Sequence, residues 1–147
     1  MSNGWIGVDL DATLAEYTGW KGEKHVGAPV PAMLQRVKDW IAEGKTVKIM
    51  TARVSARDPE ELSYNVSIIQ DWCVANGLPR LEVTCRKDYA MIELWDDRCK
   101  QVVPNTWESL EDKTAKLEAE LASVKGSSGS MGWDKTAKTL FYSGHRF

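Results

Sequence analysis

Two carboxylates stand one residue apart at Asp9 and Asp11, in the stretch Val8-Asp9-Leu10-Asp11-Ala12-Thr13, directly behind the apolar run Trp5-Ile6-Gly7-Val8. Acids at the end of a buried strand repel one another and lose solvation, so something must compensate them. Side chains alternate along a strand, which directs Asp9 and Asp11 to one side and Leu10 to the other. If the chain turns after Asp9, the N–H groups of Leu10 and Asp11 can converge on an anion. One carboxylate can then attack a phosphorus atom, while the other gives a proton to the leaving oxygen and later takes one from water. The Thr13 hydroxyl can stabilise the turn. The plainer alternative is that both acids merely terminate a strand, because so short a motif also occurs without function.

Three more polar groups have the same character. Met50-Thr51-Ala52-Arg53 leaves an apolar run with a hydroxyl and free amides, a cradle for phosphate oxygens. Asp96 and Asp97 follow the run Met91-Ile92-Glu93-Leu94-Trp95. Consecutive strand residues point oppositely, so one of these acids should bind a metal directly and the other assist through water or orient a neighbour. Oxygen ligands without His or Cys favour a hard cation, and phosphate chemistry favours Mg²⁺ over Ca²⁺. Lys87, just past Leu81-Glu82-Val83-Thr84-Cys85, offers an ammonium that could neutralise a carboxylate and a phosphate together, with Arg86 a rival for that role. Each group also has an ordinary reading. Threonine is common in strands, acids face water at strand ends, and Lys87 by itself is a surface lysine.

The elements that carry these groups follow from apolar spacing. A strand is predicted over 5–10, then a long loop over 14–30. Pro31 opens a helix that Gly44 stops, with Met33/Leu34, Val37 and Trp40/Ile41 on its buried stripe. A second strand covers 47–51. Asp58 caps the next helix, Pro59 fits its first position and Glu61 completes a capping box. Leu62, Val66, Ile69 and Cys73 mark its apolar face, and Gly77 with Pro79 ends it. Further strands are predicted at 81–85, 91–95 and 101–103. Strands alternating with helices predict an α/β fold whose mostly parallel sheet is covered on both faces. Ligands of such sheets bind beyond the carboxyl ends of the strands. Asp9/Asp11, Thr51 and Asp96/Asp97 all fall at those ends, and this coincidence is the main functional signal.

The 147 residues suit one domain plus an appendage. A formal charge of −2 provides no global basic field to recruit nucleic acid or a membrane, although a local patch can still do so. No apolar run approaches the roughly 20 residues of a membrane span, and the N-terminus lacks a basic leader, so a cytoplasmic location is expected. Cys73, Cys85 and Cys99 lack close pairing and predict small buried thiols in a reducing compartment. Trp107, Leu110, Thr114, Leu117, Leu121 and Val124 are spaced 3-4-3-4-3, a heptad seam on a helix over 107–125. That seam either packs on the domain or joins copies of the chain into a homo-oligomer. GSSGS at 126–130 has the composition of a flexible linker and resembles an engineered join. The tail 131–147 repeats the DKTAK of 112–116 and is either a tag or a docking peptide, with no chemistry assigned.

The ordered set resembles the haloacid dehalogenase-like (HAD) phosphohydrolase superfamily over about residues 4–104. VDLDAT resembles its first motif, IMTAR its second, Lys87 its third and WDD its fourth, with Ala12 where many members carry Gly. The resemblance implies a Rossmann-like three-layer sandwich as a catalytic domain over 1–106. Asp9 would be the nucleophile forming an aspartyl-phosphate, Asp11 the general acid/base, Thr51 the holder of phosphoryl oxygens and Lys87 the residue steadying charge. Mg²⁺ would be held by Asp9, the Asp11 carbonyl and Asp96, with Asp97 assisting. Asp9 must stay ionised to attack, and Asp11 must carry a proton for the first step.

Many members have a large cap domain. Residues 10–50, and those between Thr51 and Lys87, are used up by the loop, helices and strand, so little or no cap and an open site are expected. The 14–30 loop is then the rim. Tyr17, Trp20, Lys21, Lys24 and His25 offer stacking faces and charge for a base or sugar phosphate, beside Thr13, Ala52 and Arg53. Its plainer reading is a solvated loop with its aromatics folded onto the core. The loop resembles those of small phage and bacterial members close to polynucleotide 3′-phosphatases. The expected activity is Mg²⁺-dependent hydrolysis of a phosphomonoester, on a small molecule such as a nucleotide or on a nucleic-acid end. The competing expectation is a catalytically idle phosphate-ligand binder that self-associates through its C-terminal helix.

Overall fold

Trp5–Val8 is buried from end to end and forms strand β1 at the centre of a sheet. The computed structural model describes residues 4–126, 130–134 and 139–143. After β1 come helix α1 (Pro31–Ala42), strand β2 (Thr46–Met50), a 3-10 turn (Ala52–Val54), helix α2 (Pro59–Ala75), and strands β3 (Glu82–Thr84) and β4 (Met91–Trp95). The four strands lie in the order β3-β2-β1-β4 and every pairing is parallel. The chain is thus an α/β protein with a Rossmann-like arrangement.

Local chemistry places the helix ends as expected. Pro31 opens α1, where its missing N–H costs nothing, and Asp58 caps α2 by accepting from the Glu60 and Glu61 amides at 3.0 and 2.9 Å. Gly44 and Gly77, at φ of 80° and 79°, take the left-handed conformation just past each helix. Ile6 and Val8 of β1 and Val47 and Ile49 of β2 point to one face of the sheet. They share a single core with Val37 and Trp40 of α1 and Ile69 and Cys73 of α2, so both helices cover that face. The opposite face carries Trp5, whose indole N–H donates to Asp88 at 2.8 Å and whose ring lies 4.9 Å from the Lys48 ammonium. Residues 85–90 join β3 at one edge to β4 at the other, and pass Trp5 on the way.

The chain divides into two compact units, Met1–Cys99 and Lys100–Phe147. In the second, the strand expected at 101–103 does not form. Val102 makes only an isolated bridge to Ser109, because Pro104 and Asn105 (φ 62°) turn the chain at once. Helix α3 spans Leu110–Gly126, with the Ser109 hydroxyl accepting from the Asp112 amide. Trp107 lies ahead of this helix and is exposed, and α3 has no buried residue. Strands β5 (Ser130–Asp134) and β6 (Thr139–Ser143) form an antiparallel pair. The linker expected at 126–130 falls largely on residues 127–129, outside the described residues, as do 135–138 and 144–147 of the tail. Among the described residues no helix is long and apolar enough to cross a membrane. Of the three cysteines expected to be buried, Cys73 is, while Cys85 and Cys99 are exposed. Burial pushes the Cys73 thiol up to about 11.

Candidate active site at the strand ends

Parallel pairing sets Val8 of β1 level with Trp95 of β4, so the next residue of each strand emerges on the same edge. The Asp9 amide donates to the Trp95 carbonyl at 2.9 Å and locks that register. Asp9, Asp96 and Asp97 each bring one oxygen into a group within 4.8 Å of one another. Such proximity is costly for anions. Burial first, then repulsion from Asp96, Asp97 and Asp11, pushes the Asp9 carboxyl up to about 7, opposed by the Leu10 N–H. Convergent carboxylate oxygens with this surplus of negative charge fit a hard cation, which would relieve the repulsion. Asp96 also accepts from the Arg98 amide at 2.7 Å, and the exposed Arg98 side chain lies 3.9 Å from Asp97.

The other half of the cleft is built on β2. Thr51 is buried, and its amide donates to the Thr84 carbonyl at 2.9 Å, pinning the end of β2 to β3. Its hydroxyl caps the 3-10 turn by accepting from the Arg53 amide at 3.3 Å. The turn aims Arg53 back at β1, where Nε and Nη2 donate to both Asp11 oxygens at 2.6 and 2.7 Å. Nη1 reaches the Glu23 carbonyl at 3.3 Å, and the guanidinium lies 4.9 Å from the Trp20 ring centre. Asn65 of α2 donates to the Arg53 carbonyl at 3.1 Å. Leu10 and Leu14 are fully buried. At roughly 2 kcal/mol each, they anchor from below the turn that bears both acids.

These groups surround one cleft of about 670 Å³ that holds Asp9, Asp11, Thr51, Ala52, Arg53 and Trp20, together with Asp96 and Asp97. The loop rim is tied at its base, where Glu16 and Val30 donate to Ala28 and Leu14, while Trp72 donates to Gly27. Tyr17 and Trp20 line the cleft while 39% and 57% exposed, so the rim aromatics are not folded into the core.

Several expected residues lie elsewhere. Lys87 and its rival Arg86 are exposed and do not line the cleft, since the chain leaves β3 to cross toward Trp5. Lys24 and His25 are not cleft residues either. Thr13 does not brace the turn with its hydroxyl, which is buried without a hydrogen-bond partner; the turn is closed by backbone bonds from Ala12 to Ala15 and from Leu14 to Asp9. The Leu10 amide, expected to face an anion, instead donates to the Asp9 carboxylate at 2.8 Å. The Asp11 carboxylate stands on Arg53, outside the three-acid group that could hold a metal.

Sequence reasoning missed Arg98 and Asn65. Arg98 follows the acidic pair directly. Asn65 stands three residues after Leu62 and four before Ile69, a polar residue on an apolar stripe, which is the mark of a buried amide with a specific partner.

Fold and site together define a Rossmann-like α/β protein with an oxygen-donor cluster at the carboxyl ends of two adjacent parallel strands. No family model matches the chain, and no curated protein does. Among solved structures, a conserved protein coded by a locus of Bacteroides thetaiotaomicron is similar to it at 21% identity, with a TM-score of 0.46, covering 82% of this chain and 96% of that one.

Proposed function

We propose that this chain is a HAD-like phosphatase, a Mg²⁺-dependent phosphomonoester hydrolase working through an aspartyl-phosphate. One observation carries the reading: the acids of β1 and β4 converge beside the Thr51–Arg53 turn in a single cleft. A bound Mg²⁺, held by Asp9, Asp96 and Asp97, would supply positive charge to the carboxylates and the phosphoryl oxygens. Thr51 and Arg53 hold those oxygens. An Asp9 oxygen attacks phosphorus, forming an O–P bond as the bond to the leaving oxygen breaks, and Asp11 supplies the proton that oxygen takes up. Water then attacks the aspartyl-phosphate and gives its proton to Asp11, which releases phosphate and restores Asp9. Arg98, on the cleft wall, takes the charge-steadying part first expected of Lys87. Tyr17 and Trp20 provide flat faces on an open rim, which suits the base of a nucleotide or of a nucleic-acid end. The exposed thiols Cys85 and Cys99 suit a reducing, cytoplasmic setting.

One observation favours a second reading. Arg53 occupies both Asp11 oxygens, as it would in an idle phosphate binder, and the exposed Leu117 and Leu121 of α3 offer such a protein a seam for self-association. Release of phosphate from an aryl phosphate with and without Mg²⁺, in the native chain and in Asp9→Asn, separates the two. The phosphatase reading expects Mg²⁺-dependent turnover that falls at least about 10³-fold in Asp9→Asn. Unchanged turnover in that variant contradicts it, and phosphate binding without turnover in the native chain establishes the binder.

A further inference from the structure

Asp11 cannot serve a leaving group while both its oxygens are held. Arg53 bonds them at 2.6 and 2.7 Å, and the arginine side chain is only 8% exposed. The same guanidinium bonds the Glu23 carbonyl and faces Trp20, so one side chain ties the acid to the rim loop. Its backbone is fixed at both ends of the residue: the amide bonds Thr51 and the carbonyl accepts from Asn65. Movement is therefore left to the side chain, which touches Asp11, the rim loop and the cleft at once.

We propose that Arg53 is a latch on Asp11 that the phosphate of the substrate releases. The proposal rests on the reading of the cleft as a phosphate site. A phosphate seated at Thr51 presents three oxygens and up to two charges to a guanidinium that Asp11 engages with two oxygens and one charge. The planar fork of arginine matches phosphate as well as it matches carboxylate, so the entering group competes for the same donors. When Arg53 turns to the phosphate, Asp11 is freed to face the leaving oxygen, and the bond to Glu23 and the contact with Trp20 are given up. When product leaves, Arg53 returns and closes the acid again. The consequence is selectivity. A ligand without a phosphate charge does not unlock the acid, however well its base stacks on the rim.

Competition for one guanidinium has a thermodynamic signature that a fixed phosphate clamp lacks. Orthophosphate binding in the presence of Mg²⁺ is measured by calorimetry in the native chain, Asp11→Asn, Arg53→Met and the double variant, with folding of each checked by circular dichroism. Methionine keeps the apolar stem against Trp20. A latch predicts that Asp11→Asn tightens orthophosphate binding about fivefold more when Arg53 is present than when it is replaced. Tryptophan emission should also change on binding in the native chain, and the change should be absent in both Arg53→Met and Trp20→Phe. Equal tightening in both backgrounds overturns the latch and leaves the phosphate site standing. No binding in any of the four folded forms overturns the phosphate-site reading and the latch with it. Should Arg53→Met not fold, Arg53→Lys replaces it in the cycle: a lysine cannot bond both Asp11 oxygens in fork geometry, so the same loss of coupling is expected.

Discussion

The two halves of the cleft solve the same electrostatic problem differently. Asp9 and Asp11 are separated by a single residue, yet Asp11 has a guanidinium on both oxygens whereas the Asp9 carboxylate faces two more acids and, among the described residues, accepts from the Leu10 amide alone. The Arg53 half is complete in the chain itself. The Asp9 half is not: burial first, and then the neighbouring acids, push its carboxyl up to about 7. On the proposed reading, charge compensation by the chain would mark the part of the site that takes substrate, and its absence the part that takes a cation. This contrast bears on why a fold would tolerate two carboxylates at one strand end: Asp11 is satisfied by arginine, and on the proposed reading Asp9 would be satisfied by an ion.

The contrast is broken most forcefully by the ion. Mg²⁺ at about a hundred times its dissociation constant should stabilise the fold by roughly 2.7 kcal/mol, seen as a rise in Tm of roughly 10 °C. Asp96→Asn should abolish most of that rise, while Arg53→Met should leave it in place. A cation shift that survives Asp96→Asn would mean the acids of β4 are not its ligands.

A smaller effect follows from pH. Asp9 ordinarily titrates near 3.8, and in the cation-free fold it holds its proton up to about 7. Below both values the folded and unfolded chains are equally protonated. Between about 4 and about 7 the unfolded chain gives up the proton and the fold does not, so stability falls as pH rises through that window. Solvent screening at this partly exposed group reduces the loss to on the order of 1 kcal/mol. Denaturant midpoints across the window should show the decline in the native chain with chelator present, and a flatter curve both in Asp9→Asn and with Mg²⁺. A native curve as flat as that of the variant removes the argument for an uncompensated acid.

The smallest expected effect concerns the turn between the two halves. Ala12 sits at φ 63°, in the left-handed region where a Cβ is unfavourable. Ala12→Gly should therefore raise stability by about 0.5–1 kcal/mol in urea melts without moving the cation shift. A destabilised variant would show that the Ala12 methyl group makes a compensating contact.

Most of the fold was legible because its signals are local. Asp58 and Pro59 mark the start of α2 through the amides next to them, and the apolar run before Asp9 is too short for a helix and reads as a strand. The three acidic positions were legible through one rule, that ligands gather at the carboxyl ends of parallel strands. The pairing of Arg53 with Asp11 left no local trace, since it joins the ends of β1 and β2 and depends on the direction in which a 3-10 turn aims one side chain. Lys87 misled for the converse reason. Its place just after β3 looked productive, but residues 85–90 leave that strand end to reach Trp5 and β4, with Asp88 bonded to the indole. Val102 and Val103 are strand-like residues, but Pro104 and Asn105 turn the chain at once and leave Val102 an isolated bridge to Ser109. Asn65 was visible in principle as a polar residue on an apolar stripe, although its partner, a backbone carbonyl, has no sequence signature.

The central claim is that Asp9 accepts phosphorus. It is tested most directly by mixing an aryl phosphate and Mg²⁺ with Asp11→Asn, quenching in acid and measuring the mass of the peptide that contains Asp9. A nitrophenolate departs without help from an acid, so the first step proceeds in this variant while hydrolysis slows for lack of a base. The account predicts one phosphoryl group on Asp9, absent when Asp9 is also changed to Asn. Phosphate released by the native chain with no phosphoryl group ever trapped on Asp9, or with one trapped on another residue, would contradict it.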